Sequence, residues 1–246
     1  MSFERVRALT FDVFGTVVDW RTSVIRECEA FGKQYGIAAD WASFVDDWRY
    51  DGYMGGISRV RKGELPFMTA DELHRQKLAA LLAERGITGV PGEAVVELNR
   101  AWHRLDPWPD AVEGLERLRQ HRIVSTLSNG NVALLVNMAR YAGLRWDCVL
   151  SADITGAFKP DPECYLAGAR LLGLEPGAVM MVAAHKRDLQ AAQEAGLRAA
   201  FVPRPSEAGP DRDVDLEPDP AFDVVAIDFH DLATQLEAVA PTATNG

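Results

Sequence analysis

The sequence is short of cysteine: Cys28, Cys148 and Cys164 are the only three in 246 residues. The number is odd and no two form a CxxC pair, so a disulfide framework is not expected and a reducing, cytoplasmic setting is. None has a histidine partner in a nucleophile-like arrangement, and burial is the ordinary fate of such thiols. Histidine is scarce too. The five present show no HExxH and no Cys/His spacing, so no metal site is expected. Long apolar runs are missing: nothing approaches the ~20 residues of a membrane span. The start, "MSFERVRALTFD", carries charges before any apolar stretch, so no secretion signal is expected. Basic side chains are outnumbered 26 to 36, a net charge of −10. That balance disfavours nucleic acid and anionic membranes as partners, while a small anion can still bind where local basic groups gather. No internal repeat is visible.

What is present is ordinary globular material, 48% hydrophobic and 25% charged, and long enough to bury a core. The C-terminal two-thirds alternates strand-like and helix-like segments. Val6–Phe11, "RIVSTLS" (Arg122–Ser128), "DCVLSAD" (Asp147–Asp153), "AVMMVAA", "RAAFVPR" and "FDVVAID" are apolar runs of strand length. Between them lie "NVALLVNMARYAGL", "DPECYLAGARLLGL" and "RDLQAAQEAGL", with "HDLATQLEAV" last. Asp161 is a cap and Pro162 a first-turn residue. The pattern predicts an α/β fold: a doubly wound parallel sheet with helices on both faces. Residues 20–105 read differently. Four helix-like stretches, beginning "RTSVIRECEAF", "WASFVDDWRY", "TADELHRQKL" and "PGEAVVELNR", predict a helical cap inserted after the first strand. The core domain is then 1–19 with 106–246. The Pro- and acid-rich segment Arg204–Ala221 is expected to be a solvated loop, and the tail "APTATNG" frayed.

Ligands of an open parallel sheet bind beyond the carboxyl ends of its strands. Those ends deliver Asp12 with Thr16, then Ser128 with Asn129, then Lys159 and Tyr165, then His185 and Asp188. Each has a bland alternative. Asp12, Ser128 and Asp188 could cap turns or helices, and Lys159 could be a solvated lysine. Convergence on one rim argues for a site.

Taken together, "FDVFGT", "LSNGN", "FKPDPECY" and "VAAHKRDL" resemble the haloacid dehalogenase superfamily over nearly the whole chain. In the phosphatase branch the first motif looks like DxDxT, and acids of the first and fourth motifs hold Mg²⁺. Here Phe14 replaces the second acid, and Asp188 stands without a GDxxxD cluster. The chain instead resembles the L-2-haloacid dehalogenase branch, with an aromatic residue at that place. The resemblance implies Asp12 as the nucleophile that forms an ester with the α-carbon, with inversion. It implies Thr16, Ser128, Lys159, Tyr165 and Asp188 as groups orienting nucleophile, substrate carboxylate and water. Arg49, in "DDWRYDGY", is implied as the halide-binding arginine, aided by Asn129. Trp20, Trp48, Tyr50, Tyr53 and Trp108 are candidate pocket lining. Ala183 and His185 depart from the serine and asparagine common in the family, which bears on water activation and on fluoroacetate as a substrate. The expected partners are a small halogenated carboxylate and water, with no cofactor, in a homodimer. Another hydrolase acting at a carbon α to a carboxylate, a phosphatase and a non-catalytic binding protein are the rival readings.

Overall fold

The computed structural model describes residues 3–210, 212 and 214–238. The tail expected to fray lies outside the described residues. The chain opens with β1 (Ala8–Phe11) and a short β2 (Val18–Asp19). It then enters helices α1 (Trp20–Tyr35) and α2 (Trp41–Asp47), a wide π-helical segment Trp48–Met54, and α3 (Gly55–Arg61). Helices α4 (Ala70–Glu84) and α5 (Gly92–Asn99) follow, with a 3₁₀ turn Arg100–His103. Strand β3 (Asp106–Pro107) pairs antiparallel with β2, so the chain leaves for the helical cap and returns from it side by side.

The remainder is α6 (Ala111–Arg119), β4 (Ile123–Ser128), α7 (Val132–Ala142), β5 (Cys148–Ser151), α8 (Ala152–Thr155) and α9 (Pro162–Leu171). After these come β6 (Val179–Ala183), α10 (Lys186–Glu194), β7 (Arg198–Phe201), β8 (Val224–Val225) and α11 (Phe229–Glu237). Six strands form one parallel sheet in the order β5-β4-β1-β6-β7-β8. Successive residues of a strand face opposite sides, and both sides are buried here. Leu9 and Phe11 of β1, with Met180 and Val182 of β6, join the cluster that continues under α6, α7, α11 and the cap. Ala8, Met181 and Ala183 join a second cluster with Tyr165 and Leu189 of α9 and α10. That double burial is why these strands read as continuous apolar runs.

Two expectations change. "FDVVAID" shrinks to the two-residue β8: at its start the Asp223 carboxylate accepts the Ala199 N–H at 2.9 Å while the Asp223 N–H bonds Ala199 O at 3.0 Å, and after the Ala226 N–H bonds Phe201 O the chain turns toward α11. The stretch "WASFVDDWRYDGYM" is not one α-helix. At Trp48 it widens into the π-helical segment, which turns Trp48, Arg49, Gly52 and Tyr53 inward. Gly52 is required there: a Cβ would sit 2.4 Å from Cγ of Lys77 on α4.

Candidate active site

Strands β4, β1 and β6 are adjacent, so their carboxyl ends deliver side chains to one rim. Asp12 stands at the centre, only 8% exposed. Beyond it the chain turns back sharply. Gly15 takes φ +86°, and its N–H bonds Val18 O at 3.1 Å. This turn aims Thr16 inward. The Thr16 hydroxyl donates to Asp12 Oδ2 at 2.8 Å and accepts from the Ala184 N–H at 2.9 Å. Lys159, 6% exposed and ahead of α9, donates to Asp12 Oδ1 at 3.0 Å and also to Asp188. The Tyr165 hydroxyl donates to the other oxygen of Asp188 at 2.6 Å. His185 precedes α10, and its Nδ1 lies 3.0 Å from Asp12 Oδ2.

The charges follow from these contacts. Burial alone would raise Asp12, but the Lys159 ammonium and His185 outweigh it and hold the carboxyl well below the usual range. Lys159 is desolvated, yet Asp12 and Asp188 push its pKa up, so it stays an ammonium. Burial raises Asp188, with Lys159 opposing and the Asp12 charge adding to the rise. The hole therefore holds an ionised, immobilised carboxylate beside a fixed cation.

Glu207 is the residue that sequence reasoning missed. It lies in the acid-rich segment expected to be solvated, yet it is 8% exposed. Its carboxylate meets His185 Nε2 at 2.9 Å and accepts from Trp20 Nε1 at 3.1 Å. The segment is tied down by Arg204, which is buried in a two-bond pair with Asp110 at 2.8 and 2.9 Å and donates to Thr16 O. A carboxylate 22 residues beyond His185 carries no local pattern that would mark it. The only advance signal was the missing asparagine at His185, which left an imidazole in need of a partner. Burial would lower the His185 pKa, but Glu207 and Asp12 raise it to about 10. Its ring keeps a solvent-facing edge, 39% exposed.

On the cap side, Arg49 is 7% exposed and meets no carboxylate among the described residues. Aromatic faces surround it: its Cζ lies 5.1 Å from the Phe14 ring, 5.2 Å from Trp20 and 4.9 Å from Tyr53. Arg49 Nη1 and the Tyr53 hydroxyl have no hydrogen-bond partner of good geometry among the described residues. Phe14 thus forms one wall of an arginine pocket. Trp102, not singled out from the sequence, backs it by stacking on Trp20 and edging Phe14.

Other expected residues are used differently. The Ser128 hydroxyl accepts from Gly130 N–H at 3.1 Å, and the Asn129 amide exchanges two bonds with the Lys159 backbone, at 2.7 and 3.1 Å. Both hold the site's loops. Trp108 does not line the pocket: it donates to Gly15 O at 2.8 Å under Arg204. Trp48 packs deeper, against Phe44, His74 and Trp102. Among the described residues no cluster of three His, Cys, Asp or Glu side chains could hold a metal ion. No helix there is long and apolar enough to cross a membrane.

An acid-centred rim under a helical cap matches one family. The model of the haloacid dehalogenase-like hydrolases matches residues 6–196. The chain belongs to that family. Its members include "(S)-2-haloacid dehalogenase 4A" of Burkholderia cepacia, 30% identical over 206 residues, which span 82% of this chain and 84% of the relative. Among solved structures, a defluorinating L-2-haloacid dehalogenase superposes with TM-score 0.91 at 44% identity, covering 94% of this chain and 95% of that one. A second L-2-haloacid dehalogenase has the same score and identity, covering 95% and 99%.

Proposed function

We propose that the protein hydrolyses small 2-haloalkanoic acids to 2-hydroxy acids with inversion at the α-carbon, through an ester on Asp12. The observation that carries this is the pairing of an ionised Asp12 with a buried, carboxylate-free Arg49 in an aromatic pocket. A phosphatase needs an acid where Phe14 stands, and here that ring packs against the Arg49 guanidinium instead.

In the first step an Asp12 oxygen attacks the α-carbon from the side opposite the halogen. The C–O bond forms as the C–X bond breaks, and halide leaves with the bonding pair. Lys159 keeps Asp12 anionic and Thr16 keeps it aimed. The developing halide charge meets the Arg49 guanidinium in a water-poor pocket, where an electrostatic contact is strong. In the second step water attacks the ester carbonyl. Its oxygen stays on Asp12, the original Asp12 oxygen leaves with the product, and one proton goes to that alkoxide. His185 and Glu207 take the other proton. At rest His185 is held as an imidazolium by two anions; forming the ester cancels the Asp12 charge and lowers the His185 pKa, so the ring gives its proton to solvent across its exposed edge and, now neutral, takes a proton from the attacking water, which restores the imidazolium as Asp12 is freed. Asp188, Tyr165, Ser128 and Asn129 hold Lys159 and the loops around the ester.

Fluoroacetate belongs to the proposed range, supported by the tightly walled arginine and by the defluorinating relative. The same reading divides the chain into a core of 1–19 and 106–246 and a cap of 20–105, makes it a cytoplasmic homodimer, and calls for no cofactor. Light scattering tests the dimer.

The deciding experiment is a halide-release panel of chloro-, bromo- and fluoroacetate with both enantiomers of 2-chloropropionate. It is paired with a single turnover in ¹⁸O water. Label should enter Asp12 before it enters product. Direct labelling of product in that turnover would refute the ester. Release from 2-chloropropionate but not from fluoroacetate would remove fluoride from the range. Mg²⁺-dependent turnover of p-nitrophenyl phosphate, with no halide released, would favour the phosphatase.

A further inference from the structure

Arg49 belongs to the cap and Asp12 to the core, so their alignment depends on what joins the two. We propose that Asp71 and Asn131 form a clasp that sets Arg49 over Asp12, making Asp71 a positioning residue for halide displacement. This rests on the dehalogenase reading above.

Asp71 lies in the first turn of α4, where an acid commonly caps its own helix. That task is already performed by Thr69 and Glu72, which form a complete capping box. The Asp71 side chain instead crosses to the core. Its Oδ2 accepts from Asn131 Nδ2 at 2.9 Å, and its own N–H donates to Asn131 Oδ1 at 3.2 Å. Two opposed bonds fix rotation as well as distance. The other oxygen, Oδ1, lies 2.8 Å from His103 Nε2, and His103 Nδ1 lies 3.0 Å from Asn137 Nδ2 on α7. With Asn137 donating to Nδ1, the proton on Nε2 donates to Asp71. The Asp71 carbonyl also accepts from Asn99 at 3.3 Å.

Each end of the clasp leads directly into the site. On the core side, Asn131 precedes α7 and stands two residues after Asn129, which grips the Lys159 backbone. On the cap side, His74 follows Asp71 by one turn. Its carbonyl accepts from Trp48 Nε1 at 2.8 Å, and its ring stacks 4.6 Å from Tyr53 and 4.1 Å from Trp102. Trp48 is the neighbour of Arg49, and Tyr53 is one of the rings against its guanidinium. A shift of α4 is therefore transmitted to Arg49 through packed, fully buried groups.

The test compares wild type, Asp71→Ala, Asn131→Ala and the exchange Asp71→Asn with Asn131→Asp. In the exchanged pair the amide donates from the cap and the carboxylate accepts on the core, so both bonds re-form. Expected is a loss of about tenfold or more in kcat/KM for 2-chloropropionate in each single variant, because small misplacements of catalytic groups are costly. The loss should be smaller for 2-bromopropionate, whose leaving group needs less help, and the exchange should recover most of it. Single variants at wild-type rates would overturn the proposal. So would a loss equal for both halogens and unrescued by the exchange, which is the mark of a merely structural role. If wild type releases no halide, the underlying reading fails instead. Hydrogen–deuterium exchange over 48–54 then decides the clasp: it should quicken in the single variants and return in the exchange, and unchanged exchange refutes it.

Discussion

At the scale of single residues, the decisive feature is the line Glu207–His185–Asp12. In the proposed reaction it separates a step that needs the Asp12 charge from a step that begins when the charge is gone. His185→Gln should leave ester formation nearly intact and slow ester hydrolysis by about 10²–10⁴, the usual worth of general base catalysis. Mass spectrometry of the variant after mixing with substrate should then find the ester accumulated on Asp12. The pH dependence has a definite sign. His185 is raised to about 10 at rest by two anions, so with one of them esterified the hydrolysis step should rise with pH on a limb below 10. Glu207→Gln removes the other anion, so the limb should move further toward acid; rapid-quench rates across pH measure it. Arg49→Lys tests the opposite side of the pocket. A lysine keeps the charge but loses the flat face that three rings enclose, and a fall of about 10²-fold in halide release is expected.

At the scale of elements, the turn after β1 and the acid-rich segment fit each other through one glycine. A Cβ on Gly15 would lie 1.9 Å from Glu207 Oε1, and the φ of +86° is one that side chains rarely adopt. Gly15→Ala should therefore displace Glu207 and cost about 1–2 kcal/mol through the strained backbone. Urea unfolding measures the second effect. The first should appear as a lower His185 pKa by NMR, without any change at His185 itself. The π-helical segment is the other element with a purpose. A regular helix turns 3.6 residues per turn, and the wider turn brings Arg49 and Tyr53 to the same inward side as Trp48.

At the scale of the whole molecule, the buried charges give stability a shape in pH. Asp12, Asp71 and Asp110 are all held below the ordinary carboxylate pKa by their cationic and hydrogen-bonding partners, against the opposing effect of burial. Their contribution is complete above the unfolded value near 4 and is lost as pH falls through the folded values. His185 acts in the opposite sense. Raised to about 10, it stabilises below its unfolded value near 6.5 and loses that contribution as pH rises toward 10, damped by its exposed edge. Unfolding free energy should therefore peak between about pH 5 and 7. Urea titrations from pH 3 to 10 measure it, and in His185→Gln the alkaline decline should flatten while the acid decline remains.

The alternation of apolar strands and amphipathic helices was legible along the chain because both periods are local, two residues and 3.6. So was the rim carrying Asp12, Thr16, Lys159, Tyr165, His185 and Asp188, since a parallel sheet delivers its strand ends to one edge. The resemblance marked Phe14 as an aromatic residue in place of a second acid, and the structure made it a wall beside Arg49. By itself the sequence determined the architecture and which polar side chains stand at the strand ends. Only the tertiary structure decided that Glu207 turns inward to partner His185, that Arg49 lies among aromatic rings rather than beside a carboxylate, and that Asp71 reaches across to Asn131. Glu207 and Trp20 are 187 residues apart and meet through Arg204 and the Gly15 turn. No periodicity encodes such a contact; it exists only when distant segments close on each other, each supplying the space and charge that the other lacks.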